Sequence, residues 1–333
     1  MQQEAKKLVS IKNMTKHFPI KKGFFNKTVG HVQAVTNLDL DICEGETLGL
    51  VGESGCGKST AGRCILRLLQ PTCGRIFFEG NDISHTDKKH LNYLRRKMQI
   101  IFQNPYSSLD PRMTVRQIVS EPLIIHKLNE KVDIQKRMNE LLDMVGISGH
   151  MAERYPHEFS GGQRQRIGIA RALALNPTFI IADEPVSALD VSIQAQIINL
   201  LLDLKRELKL TYMFISHNLS VVQYVSDRIA VMYLGEIVEL ADADVLYKNP
   251  KHPYTEALLS AIPIPDPMLD RSNRILLEGD LPSPEKPPSG CKFRTRCRYF
   301  QDICKLEQPE LIERTPGQWS RCHFVETLNL KGL

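Results

Sequence analysis

Nine residues, Gly52-Glu53-Ser54-Gly55-Cys56-Gly57-Lys58-Ser59-Thr60, have the types and spacing of a socket for a nucleotide's phosphates. The glycines free successive backbone N–H groups to converge on phosphate oxygens. Lys58 reaches the β and γ phosphates, the Ser59 hydroxyl suits Mg²⁺, and Thr60 bonds a neighbouring phosphate. Two adjacent acids, Asp183 and Glu184, close an apolar run that begins at Thr178; beside a triphosphate such a pair holds Mg²⁺ and orients or deprotonates the attacking water. Gln103 and His217 stand at the polar tips of two further apolar runs, where an α/β sheet presents ligand contacts and a histidine can reach a γ phosphate. Ser160-Gly161-Gly162-Gln163 opens a helical stretch: the serine caps it and the glycines expose amides at its positive end, a second anion-binding surface. Phe18, just ahead of Pro19, has the place of an aromatic that stacks on adenine. Cys56, among phosphate-facing amides near Lys58, is expected to favour its thiolate.

These residues need a scaffold. Thr47–Val51 reads as a buried strand ahead of the P-loop, and Ile65, Leu66, Leu68 and Leu69 give the helix behind it an apolar face. The loop therefore meets a helix N-terminus, whose unpaired amides and dipole favour an anion. Leu8 to Phe18 and Val32 to Ile42 alternate as antiparallel strands around an exposed loop at Lys21 to Asn26. Further strands are expected at Arg75 to Glu79, Met98 to Gln103, Thr178 to Asp183 and Tyr212 to Ser216, with Arg228 to Tyr233 and Glu236 to Glu239 completing the sheet. Helical spacing from Thr114 to Val145 predicts an insertion able to move as a unit, and another helix covers Ile197 to Leu208. The basic run from Lys88 to Lys97 predicts a solvated helix face rather than a phosphate groove.

At 333 residues the chain is long enough for one large α/β domain and a smaller appendage. A net charge of +5 with 24% charged residues gives no sign of a nucleic-acid surface. No apolar stretch approaches the roughly 20 residues needed to span a bilayer, and Met1 to Lys7 lacks a signal peptide's apolar segment, so a membrane role is expected through a partner. Cys43, Cys56, Cys64 and Cys73 are scattered, whereas Cys291-x5-Cys297-x6-Cys304-x17-Cys322 forms a C-terminal set. An ATP-using chain in a reducing cytosol would not build a disulfide framework from it. Four thiolates suit either zinc or an iron-sulfur cluster, none of the gaps is as short as those of structural zinc pairs, and a coincidence without any metal stays open. Pro263, Pro265 and Pro267, then Pro282, Pro284, Pro287 and Pro288, suggest an extended connection to a separate tail.

With Ser160 to Gln163 upstream of the acidic strand, the chain resembles an ATP-binding cassette ATPase. Phe18 matches the adenine-stacking aromatic, Gly52 to Ser59 Walker A, Gln103 the glutamine loop and Phe159 to Gln163 the signature. Asp183 matches the Walker B aspartate, Glu184 the catalytic base, Ser187 to Asp190 the dimer-contacting loop and His217 the switch histidine. The resemblance implies an α/β P-loop NTPase fold with a RecA-like core sheet and an antiparallel β subdomain. Residues 1–250 would form the nucleotide-binding domain, with a helical subdomain at about 104–176, and residues 251–333 a cysteine-containing extension. It also implies ATP and Mg²⁺ as cofactors, the metal near Ser59, Gln103 and Asp183, with Lys58, Gln103, Glu184 and His217 serving catalysis. Two such subunits would close head to tail, each ATP lying between one Walker A and the other's Ser160-Gly161-Gly162, near Gln163 and Asp190.

Asn104 to Pro122, Asn249 to Leu258 with its His252-Pro253-Tyr254, and the C-terminal cysteines are similar to the ATPase subunits of peptide importers, and Gly30 to Val35 resembles the F-type of their two ATPase subunits. That likeness implies uptake of dipeptides or oligopeptides through two permease subunits, an extracytoplasmic binding protein and a second, D-type ATPase. It implies peripheral attachment to the cytoplasmic face of the inner membrane, and a [4Fe-4S] cluster on Cys291, Cys297, Cys304 and Cys322. Nickel, a sugar or an exported peptide as cargo stays open, because the ATPase need not touch what is carried. A soluble cassette ATPase working on DNA or ribosomes is the rival outside transport.

Overall fold

A computed structural model of the chain describes residues 6–128, 132–263, 275, 277 and 279–333. The readings of Met1 to Ala5, of 129–131 within the helical insertion, and of Pro265 and Pro267 lie outside the described residues. The chain divides into two compact units. One, the P-loop unit, contains Lys7–Ile42, Thr47–Ser84 and Ser216–Leu333; the other, the acidic-strand unit, contains Cys43–Glu46 and His85–Ile215.

The P-loop unit begins with β1 (Lys7–Lys22), β2 (Lys27–Cys43), β3 (Thr47–Val51), α1 (Lys58–Ile65), β4 (Cys73–Phe78) and β5 (Asn81–Asp82). Strand order β2-β1-β4-β5 makes an antiparallel sheet, with Val9 opposite Phe78 and Ile11 opposite Ile76. Val9 and Ile11 are buried on either side of Ser10, the two-residue period of a strand, and the period breaks at exposed Lys12 and Asn13, where the pairing with β4 shifts register. The α1 helix is shorter than its apolar spacing predicts. Arg67 adopts a left-handed φ of 57° and its N–H bonds to the Cys64 carbonyl, so the chain turns away and Leu68 is left 48% exposed.

The acidic-strand unit contains α2 (Lys88–Lys97), β6 (Met98–Ile101), α3 (Val115–Ile125), α4 (Ile134–Met144), α5 (Gly161–Leu173), β7 (Phe179–Asp183), α6 (Val191–Leu208) and β8 (Thr211–Ser216). The strands run parallel in the order β6-β7-β8, with Met98 opposite Phe179 and Asp183 opposite Ile215. Every residue of β7 is buried, which is why its sequence reads as an unbroken apolar run. Helices α3, α4 and α5 pack on one another, and α2 buries Leu94 beneath an otherwise wet basic face.

Returning to the P-loop unit, the chain forms α7 (Leu219–Val225), β9 (Arg228–Tyr233), β10 (Glu236–Asp242), α8 (Ala243–Lys248), α9 (Pro253–Ser260), α10 (Ile303–Leu306), β11 (Ile312–Thr315) and β12 (Gln318–Ser320). Strand β3 lies parallel to β9, β9 pairs antiparallel with β10, and β12 then β11 extend the row. The expectations that the sheet ends at Glu239 and that the tail stands apart are thus corrected: the C-terminal strands join the sheet. Hydrogen bonds fix them there, Gln318 Nε2 donating to the Asn249 carbonyl at 2.8 Å and Ser320 Oγ to that of Lys251 at 2.7 Å. Lys292 and Glu236 add an ion pair of 2.9 Å, with side chains 9% and 4% exposed. Among the described residues no helix is long and apolar enough to cross a membrane.

Candidate active site

In the P-loop unit the fully buried β3 delivers the chain into the loop. Gly57 precedes α1 with φ 108°, and a Cβ there would stand 2.0 Å from the Ala34 carbonyl oxygen, so the position admits glycine alone. Lys58 is 4% exposed, and its Nζ donates to the carbonyls of Gly52 at 2.8 Å and Glu53 at 2.9 Å. The ammonium is therefore held over the loop by backbone oxygens. Ser54 and Gly55 are exposed, Ser59 and Thr60 half-buried. Cys56 departs from its expected thiolate character. Its Sγ lies 3.7 Å from Lys58 Nζ, yet at 1% exposure burial outweighs that cation and pushes the thiol up.

Phe18 sits half-buried on β1, with the Lys16 ammonium 4.8 Å from its ring centroid. His217 is exposed, next to Asn218, whose side chain caps α7 by accepting the Val221 N–H.

In the acidic-strand unit Asp183 ends β7 and is 3% exposed. Glu184 follows in a left-handed conformation, φ 48°, its N–H donating to the Ile215 carbonyl at 2.9 Å. That backbone region is disfavoured for a residue with a Cβ and is found where a site is held against strain. Gln103, beyond the end of β6, donates from Nε2 to Glu184 Oε2 at 2.8 Å, so the structure brings these two predicted residues together. Ser187 Oγ donates to the Glu184 carbonyl at 3.1 Å.

Ser160 caps α5 through a reciprocal pair: the Gln163 N–H donates to Ser160 Oγ at 3.3 Å, and the Ser160 N–H donates to Gln163 Oε1 at 3.0 Å. The Gln163 side chain is thus committed to the cap. A Cβ on Gly162 would come within 2.5 Å of Ile193 Cγ2 on α6, and one on Gly161 within 3.2 Å of both Leu189 and Tyr106. The signature glycines accordingly serve close packing as well as amide exposure. Asp190 is exposed at the start of α6.

Two residues absent from the sequence reading of the loop contact it: Arg296 Nη1 lies 2.8 and 3.0 Å from the Glu53 carboxylate oxygens, and Tyr254 Oη accepts the Glu53 N–H at 2.9 Å. The His252-Pro253-Tyr254 motif was the one available pointer to Tyr254.

Cys291, Cys297, Cys304 and Cys322 line one small cavity, together with Phe293 and His252. All eight cysteines are free. Burial pushes the Cys291 thiol up to about 11 and that of Cys297 up to about 12, and the neighbouring thiols push in the same direction. Among the described residues no group of three or more His, Cys, Asp or Glu is arranged to hold a metal ion.

The family described as "ABC transporter" matches residues 35–187, and that described as "Oligopeptide/dipeptide transporter, C-terminal region" matches residues 238–304. The "Oligopeptide transport ATP-binding protein AppF" of Bacillus subtilis (strain 168) is 52% identical over 319 residues, 95% of this chain and 97% of AppF. A solved structure, the dimeric post-hydrolysis state of the ATP-binding cassette MJ0796 bound to ADP and Pi, matches at 33% identity with TM-score 0.62, covering 71% of this chain and 98% of that one. The structure of cbiO1 from Clostridium perfringens, part of the transporter complex cbiONQ, matches at 28% identity with TM-score 0.61, covering 73% and 91%.

Proposed function

The chain belongs to the ABC transporter family, and from that premise we propose that it is the ATP-hydrolysing subunit of a membrane importer of dipeptides or oligopeptides. What carries this reading is that the likeness to peptide transporters runs through the cassette motifs and the C-terminal cysteine region alike.

In this mechanism Lys58 and the P-loop amides bind the β and γ phosphates, and Phe18 stacks on the adenine. Ser59, Asp183 and Gln103 are the residues that would hold Mg²⁺, which would draw negative charge off the β and γ phosphates. Glu184 receives the proton of the attacking water, which His217 helps to place against the γ phosphate. Ser160, Gly161 and Gly162 present amides to the ATP of an opposing subunit, with Asp190 at the same interface. Residues 104–176 pass the closure on to two permease subunits. The second ATPase is a D-type relative, an extracytoplasmic protein delivers the peptide, and the chain sits on the cytoplasmic face of the inner membrane.

The four cysteines would hold a [4Fe-4S] cluster. What supports this reading is that all four line one cavity and that four thiolates are the ligand set such a cluster takes. Such a cluster supplies a covalent staple for the tail. Iron and acid-labile sulfide in anaerobically purified chain would support it, and stoichiometric zinc without iron would remove it.

The function is tested by purifying the tagged chain from membranes and identifying its companions by mass spectrometry, then reconstituting the assembly in proteoliposomes. Two integral membrane subunits and ATP hydrolysis stimulated by peptide with its binding protein are expected. Stimulation by nickel or a sugar instead would overturn the cargo, and absence of any membrane companion would overturn the transporter.

A further inference from the structure

Glu53 is held at three atoms. Its carbonyl accepts Lys58 Nζ at 2.9 Å, its N–H donates to Tyr254 Oη at 2.9 Å, and its carboxylate takes Arg296 Nη1 across both oxygens. The last two partners come from the C-terminal part of the same compact unit. Both also reach the four-cysteine cavity. Arg296, its side chain 7% exposed, immediately precedes the cavity residue Cys297. The Tyr254 ring packs against Phe293 with centroids 5.4 Å apart, and Phe293 lines the cavity. Tyr254 is further fixed by its own N–H, which donates to Nδ1 of the cavity residue His252 at 3.1 Å.

We propose that Arg296 and Tyr254 are positioning residues for the P-loop, and that through them nucleotide binding is coupled to the state of the four-cysteine cavity. The inference rests on the reading of Gly52 to Thr60 as the ATP site. Two physical effects act together. An uncompensated carboxylate at Glu53 would repel a triphosphate, and the Arg296 guanidinium cancels that charge from a buried position where screening is weak. Anchoring the Glu53 backbone also fixes the carbonyl that holds Lys58, so less ordering remains to be done when phosphate arrives. A coupling of this kind is reciprocal: what tightens the cavity strengthens ATP binding, and bound ATP protects the cavity.

The test uses the full chain with its cysteine site as purified and a fluorescent ATP analogue. Wild-type binding is measured first; absence of it would overturn the P-loop reading itself. With wild-type binding in hand, Arg296→Met is expected to weaken the analogue's Kd five- to tenfold and Tyr254→Phe two- to threefold. KM for ATP rises in step while kcat stays within twofold, and Arg296→Lys recovers most of the loss. Adding Glu53→Gln to Arg296→Met returns part of the loss, because it removes the carboxylate that the first substitution leaves uncompensated. ATP slows iodoacetamide labelling of Cys291 and Cys297, whose thiols become available only as the site opens, read by mass spectrometry, in wild type and not in Arg296→Met. Unchanged Kd in Arg296→Met, or kcat and KM failing together with a lowered thermal midpoint, would overturn the coupling.

Discussion

Gln103 and Glu184, 81 positions apart in the chain, are joined by a 2.8 Å hydrogen bond in which the amide Nε2 donates to the carboxylate Oε2. The donor comes from just beyond β6 and the acceptor from just beyond the neighbouring parallel strand β7. A loop that leads on toward α3 therefore has a hand on the acid proposed as base, and its displacement would reorient that acid.

Replacing Glu184 by Gln should leave ATP binding intact and lower steady-state hydrolysis by about 10²- to 10⁴-fold, the span over which a positioned general base contributes. Gln103→Ala, which releases the carboxylate without removing it, should cost roughly tenfold in kcat. Phosphate-release assays beside nucleotide titrations check both, and undiminished hydrolysis in the glutamine variant would exclude Glu184 as base.

Gly162→Ala should destabilise the chain by about 1–3 kcal/mol, because its methyl meets Ile193 Cγ2 at 2.5 Å in a packed helix contact. Pairing it with Ile193→Ala should return part of that loss. Urea melts of the single and double variants measure the recovery.

Lys292→Met should be more damaging, about 3–5 kcal/mol, since it strands the Glu236 carboxylate, 4% exposed, without its ammonium. Gln308, which donates to both Glu236 oxygens at 2.8 and 2.9 Å, softens the loss without replacing the charge. Chemical denaturation of the single variant against Lys292→Met with Glu236→Leu separates the stranded charge from lost packing.

Glu239 is fully buried on β10, and burial raises its carboxyl to about 7 from an ordinary value of 4.5, despite the Lys251 N–H donating at 2.6 Å. The folded state therefore favours the protonated acid. Its contribution is complete below pH 4.5 and is lost as pH rises through 7, on the order of 3 kcal/mol in all. Glu239→Gln should remove that component of the stability-versus-pH curve, and a curve unchanged by the substitution would exclude Glu239 as its source.

Cys56 should resist alkylation at pH 8 while exposed Cys73 reacts, because burial keeps the Cys56 thiol protonated. Peptide mapping after timed iodoacetamide treatment reads this directly.

The glycine-rich turn from β3 into α1, the strand ending in Asp183 and the capped start of α5 were legible because each is a local pattern with a local cause. Gly57 must approach the Ala34 carbonyl, β7 is buried throughout, and Ser160 and Gln163 satisfy each other's amides. What escaped depends on distant partners. Ile312–Thr315 carries Glu313 and Arg314 and lacks a strand's apolar alternation; β11 forms because β12 lies beside it. The early end of α1 turns on one left-handed residue, Arg67, where side-chain type predicts none. Arg296 and Glu53 are 243 positions apart, a separation no periodicity spans.

The docking of β12 against β10 also bears on how such cassettes can be recombined. A chimera that takes its C-terminus from a relative must supply a strand in the same register, Glu239 opposite Ser320 and Leu240 opposite Trp319, or leave β10 as a bare, apolar margin inviting fibrous self-association. Grafting is therefore a question of backbone alignment before it is one of thiol chemistry, and a splice at residue 250 cuts through a single folded sheet rather than between two modules.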